Sequence, residues 1–254
     1  MTGQMGDQRE WMYTWEGRGG PFNLLLDPDV FAPTYTSREV AEGLIINPGE
    51  TVIDVGSGSG VLSFVAAKLG AARVFGTDLN ARAIELARRS ATLLGLDRSI
   101  EFRQGSLFEP LAGIRADVVI GDVSGIPDAI AAASDWFPGG FSGGPTGAEV
   151  PVAMLEASLE HLAPGGRLYL PTGSIQDEET VLRAARRIFG ERMRQMRERM
   201  LPLPTKITET AVVRRLMDSG VVRFIRRGSR LLWELRIWEC TLPPVDSVTR
   251  ERGV

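Results

Sequence analysis

A doubly wound α/β domain with a mainly parallel sheet is what this sequence predicts, on three observations. From Thr51 onward, short apolar runs of strand length alternate with segments of helix length. The first run ends on a turn with three glycines and the second on an acidic residue, at the strand ends where such sheets carry ligands. Near the C-terminus, Leu231 to Glu239 alternates apolar and polar residues, as an antiparallel strand with one covered face does.

The strands follow in order as Thr51 to Val55, Arg73 to Thr77, Ile100 to Arg103, Asp117 to Ile120 and Leu168 to Leu170. Between them, Val61 to Leu69, Ala81 to Leu94 with Gly95 as its cap, and Val152 to Leu162 read as helices. Ser174 and Asp177 open a further helix, in which Val181, Leu182, Ala185, Ile188 and Phe189 share one face. Thr208 to Met217 suggests a short inserted helix. Val221 to Arg226 and Leu231 to Glu239 flank Arg227-Gly228-Ser229-Arg230 as a terminal hairpin. Two stretches read as loops able to cover a site: the aromatic segment Trp11, Tyr13 and Trp15, and the glycine-rich run from Pro138 to Gly147. The expected organisation is an N-terminal lid and substrate segment over 1–36 followed by one domain over 37–254.

With 254 residues, 43% hydrophobic and 24% charged, the chain has ordinary globular usage and enough length for a large core. No apolar run reaches the roughly 18 residues of a membrane span, and Met1 to Asp7 lacks the pattern of a signal peptide, so a cytoplasmic location is expected. One cysteine, Cys240, and one histidine, His161, rule out an internal disulfide and speak against a Cys/His metal cluster. The net charge of −3 is unevenly spread. From Arg183 to Arg230 there are 13 Arg and one Lys against four acidic residues, a face suited to an anion or a macromolecule, or simply a coat of arginines on a helix.

Chemistry concentrates at the first two strand ends. Asp54-Val55-Gly56-Ser57-Gly58-Ser59-Gly60 lets a ligand approach the backbone at the start of a helix. A dinucleotide fingerprint requires glycine where Val61 stands, which disfavours an oxidoreductase. Thr77-Asp78-Leu79-Asn80 places a carboxylate where a ribose diol lies.

Val52 to Leu62 followed by Gly76-Thr77-Asp78 resembles the first two motifs of class I S-adenosylmethionine-dependent methyltransferases, and the resemblance runs from Val30 to about Leu170. It implies a Rossmann-like, doubly wound, mainly parallel seven-stranded sheet with a C-terminal antiparallel hairpin. The implied cofactor is S-adenosyl-L-methionine. Gly56, Ser57, Gly58 and Gly60 would receive its methionine part with Asp54 behind them, Asp78 would take the ribose hydroxyls, and Leu79 would pack on adenine. Ser106 stands where many relatives have an adenine-contacting aspartate, leaving Leu107 to offer a backbone amide.

Within that family the chain is similar to the HemK/PrmC-like branch and to amino-methylating relatives, whose fourth strand ends in Asn-Pro-Pro-Tyr or Asp-Pro-Pro-Tyr. Asp122 takes the first position, while Val123, Ser124 and Gly125 replace the prolines and the tyrosine. The aromatic platform for a planar amide or base is thereby lost. Asp122 and Glu149 are the candidate catalytic residues, and Asp122 also borders the cofactor. Tyr13, Phe31, Tyr35, Val123 and Ser124 are the candidate acceptor contacts. The function expected is methyl transfer to nitrogen of a small-molecule or amino-acid-like acceptor, with no metal, nucleic acid or membrane partner and no assigned oligomeric state. The alternatives are a protein or ribosomal-component methyltransferase docking through the basic C-terminal region, and a non-catalytic binding module.

Overall fold

The computed structural model describes residues 9–134, 141–208 and 210–244. The start Met1 to Asp7, and Pro138 to Gly140 of the glycine-rich run, lie outside the described residues.

The N-terminal aromatic segment is a strand pair rather than a loop. β1 (Trp11–Trp15) and β2 (Phe22–Leu26) pair antiparallel, with Trp11 opposite Leu26 and Trp15 opposite Phe22. Along β2 alternation decides the face, with Phe22, Leu24 and Leu26 buried in the main core; on β1 burial rises along the strand, from exposed Trp11 and Met12 to buried Trp15. The expected covering loop is therefore corrected for Trp15, which at 1% exposed belongs to the core. Burying its indole requires a partner for the ring N–H, and Nε1 donates to the Arg18 carbonyl at 3.0 Å.

After the hairpin comes α1 (Tyr35–Gly43), started by a capping box between Thr34 and Ser37. β3 (Thr51–Val55) leads into α2 (Val61–Lys68), and β4 (Arg73–Asp78) into α3 (Ala81–Leu93), which Asn80 caps. The hairpin lies on this side of the sheet. Phe22 meets Phe64 of α2 edge-on, and Glu10 and the buried Asp27 hold Arg82 of α3 at 2.8 and 3.0 Å. β5 (Ile100–Gln104), a single 3-10 turn over 109–111, β6 (Ala116–Ile120) and α4 (Asp128–Ala133) follow.

α5 (Glu149–Ser158) begins three residues before the expected Val152. Pro151 sits in the first turn, where its missing N–H costs no hydrogen bond, so the proline does not mark the boundary. β7 (Leu162–Gly173) is far longer than the Leu168 to Leu170 core, because it also carries the antiparallel partner. α6 (Glu178–Phe189) takes its cap from Asp177, whose carboxylate accepts from the Thr180 amide at 3.1 Å. Ser174 is not part of that cap, and its hydroxyl accepts instead from the Glu234 amide.

β8 (Met193–Pro202) was not anticipated. α7 (Thr205–Thr208) and α8 (Ala211–Asp218) form the expected insertion, and β9 (Ile225–Arg227) and β10 (Arg230–Thr241) the expected hairpin. The main sheet runs in the order β5-β4-β3-β6-β7-β10-β8, with β9 on β10. Pairing is parallel from β5 to β7 and antiparallel where β10 inserts between β7 and β8.

Side-chain alternation along β3 builds both layers. Val52 packs with α1, α2 and α3, while Ile53 and Val55 pack with α5 and α6. Among the described residues no helix is long and apolar enough to cross a membrane. His161 stacks on Phe108 with ring centroids 4.6 Å apart, and Cys240 is buried with its thiol pushed up to about 12 by burial, so both are packing residues here.

Candidate functional site

The parallel strands β3, β4, β6 and β7 end on one side of the sheet, and a cavity of about 500 Å³ opens there. That size falls within the range of roughly 300–1,000 Å³ typical of small-molecule sites.

The glycine turn forms one wall. Gly56, Gly58 and Gly60 all have positive φ, at 70°, 51° and 82°. At Gly60 the need for glycine is doubled, because a Cβ would stand 2.8 Å from the Phe102 ring, so any side chain would push α2 off the sheet. The Ser57 amide donates to the Thr77 carbonyl at 2.8 Å and ties the turn to β4, while the Ser57 hydroxyl is buried without a partner among the described residues. Asp78 completes the wall. Its carboxylate accepts from the Gly58 amide and from the Asn80 amide, each at 2.8 Å. Burial raises its pKa, with these two amides opposing.

Leu79, Ser106 and Leu107 line the same cavity. Leu107 has φ 46°, the left-handed region a leucine rarely adopts, and the Thr77 hydroxyl holds it there by donating to its carbonyl at 2.7 Å. These residues, with the open backbone of Gly56 and Gly58, fit the amino-acid, ribose and adenine parts that S-adenosylmethionine presents.

On the other side lie Phe31, Asp122, Val123, Ser124 and Glu149. Asp122 is half-buried, its pKa raised to about 6 by burial, with the Ser37 hydroxyl opposing by a hydrogen bond. Glu149 faces the cavity from the first turn of α5 but spends its carboxylate on Thr146, accepting from the amide and from the hydroxyl at 2.9 Å. Tyr13 and Tyr35 are not brought in. Tyr13 packs half-buried in the hairpin, and Tyr35 is 71% exposed at the start of α1.

Asp54 lies beneath the turn, 1% exposed, accepting from the Ser63 hydroxyl at 2.6 Å. Burial pushes its pKa up to about 7, and the neighbouring Asp122 and Asp78 charges add to the rise. The unfolded chain loses this proton near the ordinary value of 3.8, so Asp54 contributes stability that is full below that pH and is lost as pH rises to about 7. Asp54→Asn is therefore expected to gain thermal midpoint relative to the parent as pH climbs through that window. A difference independent of pH in thermal unfolding would contradict it.

Sequence reasoning missed Gln176, Ser37 and Trp233. Gln176 and Trp233 line the cavity, and Ser37 bonds Asp122. Gln176 carried a usable signal, since it follows directly on the end of the fifth parallel strand. Trp233 carried none, because its place depends on β10 inserting beside β7.

A family model described as ribosomal protein L11 methyltransferase (PrmA) matches residues 34–126, from the start of α1 to the loop after β6. The ribosomal protein L11 methyltransferase of Caldanaerobacter subterraneus subsp. tengcongensis is 34% identical over 146 residues, 57% of this chain and 39% of that protein. The release factor glutamine methyltransferase of Moorella thermoacetica is 31% identical over 167 residues, 59% of this chain and 57% of that one. This chain thus spans about half the length of these relatives. Among solved structures, the tRNA m1G37 methyltransferase of M. jannaschii aligns with a TM-score of 0.58 at 13% identity, over 94% of this chain and 56% of that one, a likeness of fold alone. Both sequence relatives are named for protein acceptors. On that finding the expected small-molecule or amino-acid-like acceptor, and a place in small-molecule biosynthesis with it, is corrected. In its sheet order, its glycine turn and its matched residues, the chain carries the class I fold of the S-adenosylmethionine-dependent methyltransferases.

Proposed function

We propose that this protein transfers a methyl group from S-adenosylmethionine to a nitrogen of a protein acceptor. The observation that carries the reading is the meeting of the glycine turn, Asp78 and Asp122 on one cavity at adjacent parallel strand ends. The protein nature of the acceptor rests on the names of the two relatives.

When bound, the cofactor supplies a methyl group already activated on a sulfonium. The protein's work is then positioning, which can contribute roughly 7–11 kcal/mol in favourable cases. Backbone groups of Gly56 to Gly60 would hold the methionine end, and Asp78 would accept from the ribose hydroxyls. Asp122 would accept from an N–H of the acceptor nitrogen, turn its lone pair toward the methyl group, and balance the positive charge that grows there.

The basic C-terminal region supplies a docking surface only in part. Arg197 and Arg199 are spent on Glu39, Arg194 on Glu239 and Arg223 on Glu178. Arg226, Arg227 and Arg230, on the β9-β10 hairpin, are exposed, and none has an ion-pair partner among the described residues.

Calorimetry with S-adenosylhomocysteine tests the cofactor half. Binding is expected in the parent. Asp78→Ala is expected to weaken it at least tenfold, because charge-assisted hydrogen bonds contribute about 1.5–3 kcal/mol. Labelled S-adenosylmethionine offered with ribosomal protein L11 or a release factor tests the acceptor half, and label in neither protein overturns it.

A further inference from the structure

We propose that Gln176, together with the Ser124 hydroxyl, recognises the acceptor by holding a carbonyl oxygen that flanks the nitrogen to be methylated. The inference rests on the methyltransferase reading above and names the chemical group that site selects.

Gln176 stands just beyond the end of β7, and only 5% of it is exposed. Its main chain is fully engaged: the amide donates to the Gly173 carbonyl at 3.2 Å, and the carbonyl accepts from the Glu178 amide at 2.7 Å. Its side-chain Nε2 is buried with no hydrogen-bond partner among the described residues, and so is the Ser124 hydroxyl. Both residues line the cavity. A buried donor left unsatisfied costs about 1–3 kcal/mol, and folded proteins leave few of them. Two residues that line one cavity, each with an unsatisfied buried donor, are the groups that an oxygen entering there would satisfy.

The surrounding chain is shaped to hold the amide there. A Cβ at Gly125 would lie 2.0 Å from Gln176 Oε1, and one at Gly147 would lie 3.0 Å from the Gln176 Cβ. Gly125 occupies the position at which the resembling Asn-Pro-Pro-Tyr sequences carry tyrosine. The space that an aromatic ring would claim is taken here by a carboxamide, and a stacking surface is exchanged for a hydrogen-bond donor.

The polarity of the two sides then defines the ligand. Asp122 accepts hydrogen bonds, whereas Gln176 Nε2 and Ser124 Oγ donate them. A group with N–H on one side and C=O on the other satisfies both, and either a carboxamide or a terminal amine with its neighbouring peptide carbonyl has that form. An isolated alkylamine satisfies only Asp122.

The test follows the side-chain NH2 of Gln176 by nitrogen-15 NMR, the pair of signals absent from Gln176→Met. Acetamide is titrated into the free protein and into the protein loaded with S-adenosylhomocysteine, and methylamine serves as the probe without a carbonyl. Acetamide is expected to move this pair in a saturable way, and methylamine to leave it in place. No movement with acetamide in either form, or equal movement with methylamine, would make Gln176 a structural amide and overturn the proposal.

Kinetics supply a second readout. With ribosomal protein L11 as acceptor, Gln176→Met and Gln176→Glu, which both lose the donor, should each lower kcat/KM at least tenfold while S-adenosylhomocysteine affinity is unchanged. A Gln176→Glu protein as active as the parent would count against a donor role. If the parent binds S-adenosylhomocysteine but methylates neither protein acceptor, the acceptor reading fails, and the titration still decides the role of Gln176.

Discussion

Asp122→Asn is expected to lower turnover by about 100-fold or more while leaving S-adenosylhomocysteine affinity unchanged, a loss on the scale of removing one positioned acid-base or electrostatic group. The two side chains are nearly isosteric, so the change removes charge and proton affinity and little else. Burial raises the Asp122 carboxyl to about 6. The parent rate should therefore fall as pH drops through 6 and the carboxylate is neutralised, whereas the Asn protein should lack that limb. Rates of both proteins, measured with one acceptor from about pH 5 to 8, check this. Equal rates at every pH would remove the charge from the mechanism. A tolerated substitution with a carboxamide acceptor would instead mark Asp122 as a geometric counterpart of the asparagine in the glutamine-modifying branch.

Trp15→Ala is expected to cost about 3–5 kcal/mol of stability, the range for deleting a buried large aromatic side chain. For a chain of this size that corresponds to a fall of roughly 6–20 °C in thermal midpoint. The indole packs on Phe22, with ring centroids 6.4 Å apart, and Phe22 in turn meets Phe64 of α2 at 5.9 Å. Removing it opens a void beside the helix that follows the glycine turn. Tyr13→Ala, at a half-buried position two residues earlier, should cost much less. Thermal unfolding of the two variants measures the contrast, and equal shifts would mean that the hairpin lies loosely on the body.

The legible part of the fold was the part whose sequence obeys one rule at a time. β3, β4 and β6 lie largely buried on both faces, so each reads as an apolar run, and glycine or an acidic residue at its end marks a ligand edge; β5, at the edge of the sheet, reads instead by alternation of Ile100 and Phe102 with Glu101 and Arg103. β8 was illegible for the opposite reason. Its sequence, Met193-Arg194-Gln195-Met196-Arg197-Glu198-Arg199-Met200-Leu201-Pro202, is that of a charged edge strand, and it is half covered at best. Only the neighbouring strand makes it a strand at all. Likewise Trp11, Tyr13 and Trp15 alternate as a strand should, but five residues beside a glycine-rich stretch are too few to separate a hairpin from a loop until the partner Phe22 to Leu26 is seen. At the site, Gly56, Gly58, Asp78, Leu79 and Asp122, carried by motifs, line the cavity while Asp54 lies beneath it; of the aromatics placed by chain position, Phe31 lines it and Tyr13 and Tyr35 do not. Gln176 belongs to a third kind: its place just past a parallel strand end marks it as near the site, but its role shows only when its unsatisfied amide is found beside Gly125.

The place of β10 between β7 and β8 has a consequence for how the chain is made. Synthesis proceeds from the N-terminus, so β8 emerges before the one main-sheet strand it pairs with exists. Until Arg230 to Thr241 is translated, β7 presents an open apolar border and β8 has nowhere to dock. The arginines and glutamates of β8 suit that interval, since a charged ribbon stays dissolved and resists pairing with other nascent chains. β10 is thus a keystone, and a message truncated between β7 and β10 would yield a polypeptide with a complete parallel half and no strand to close its border.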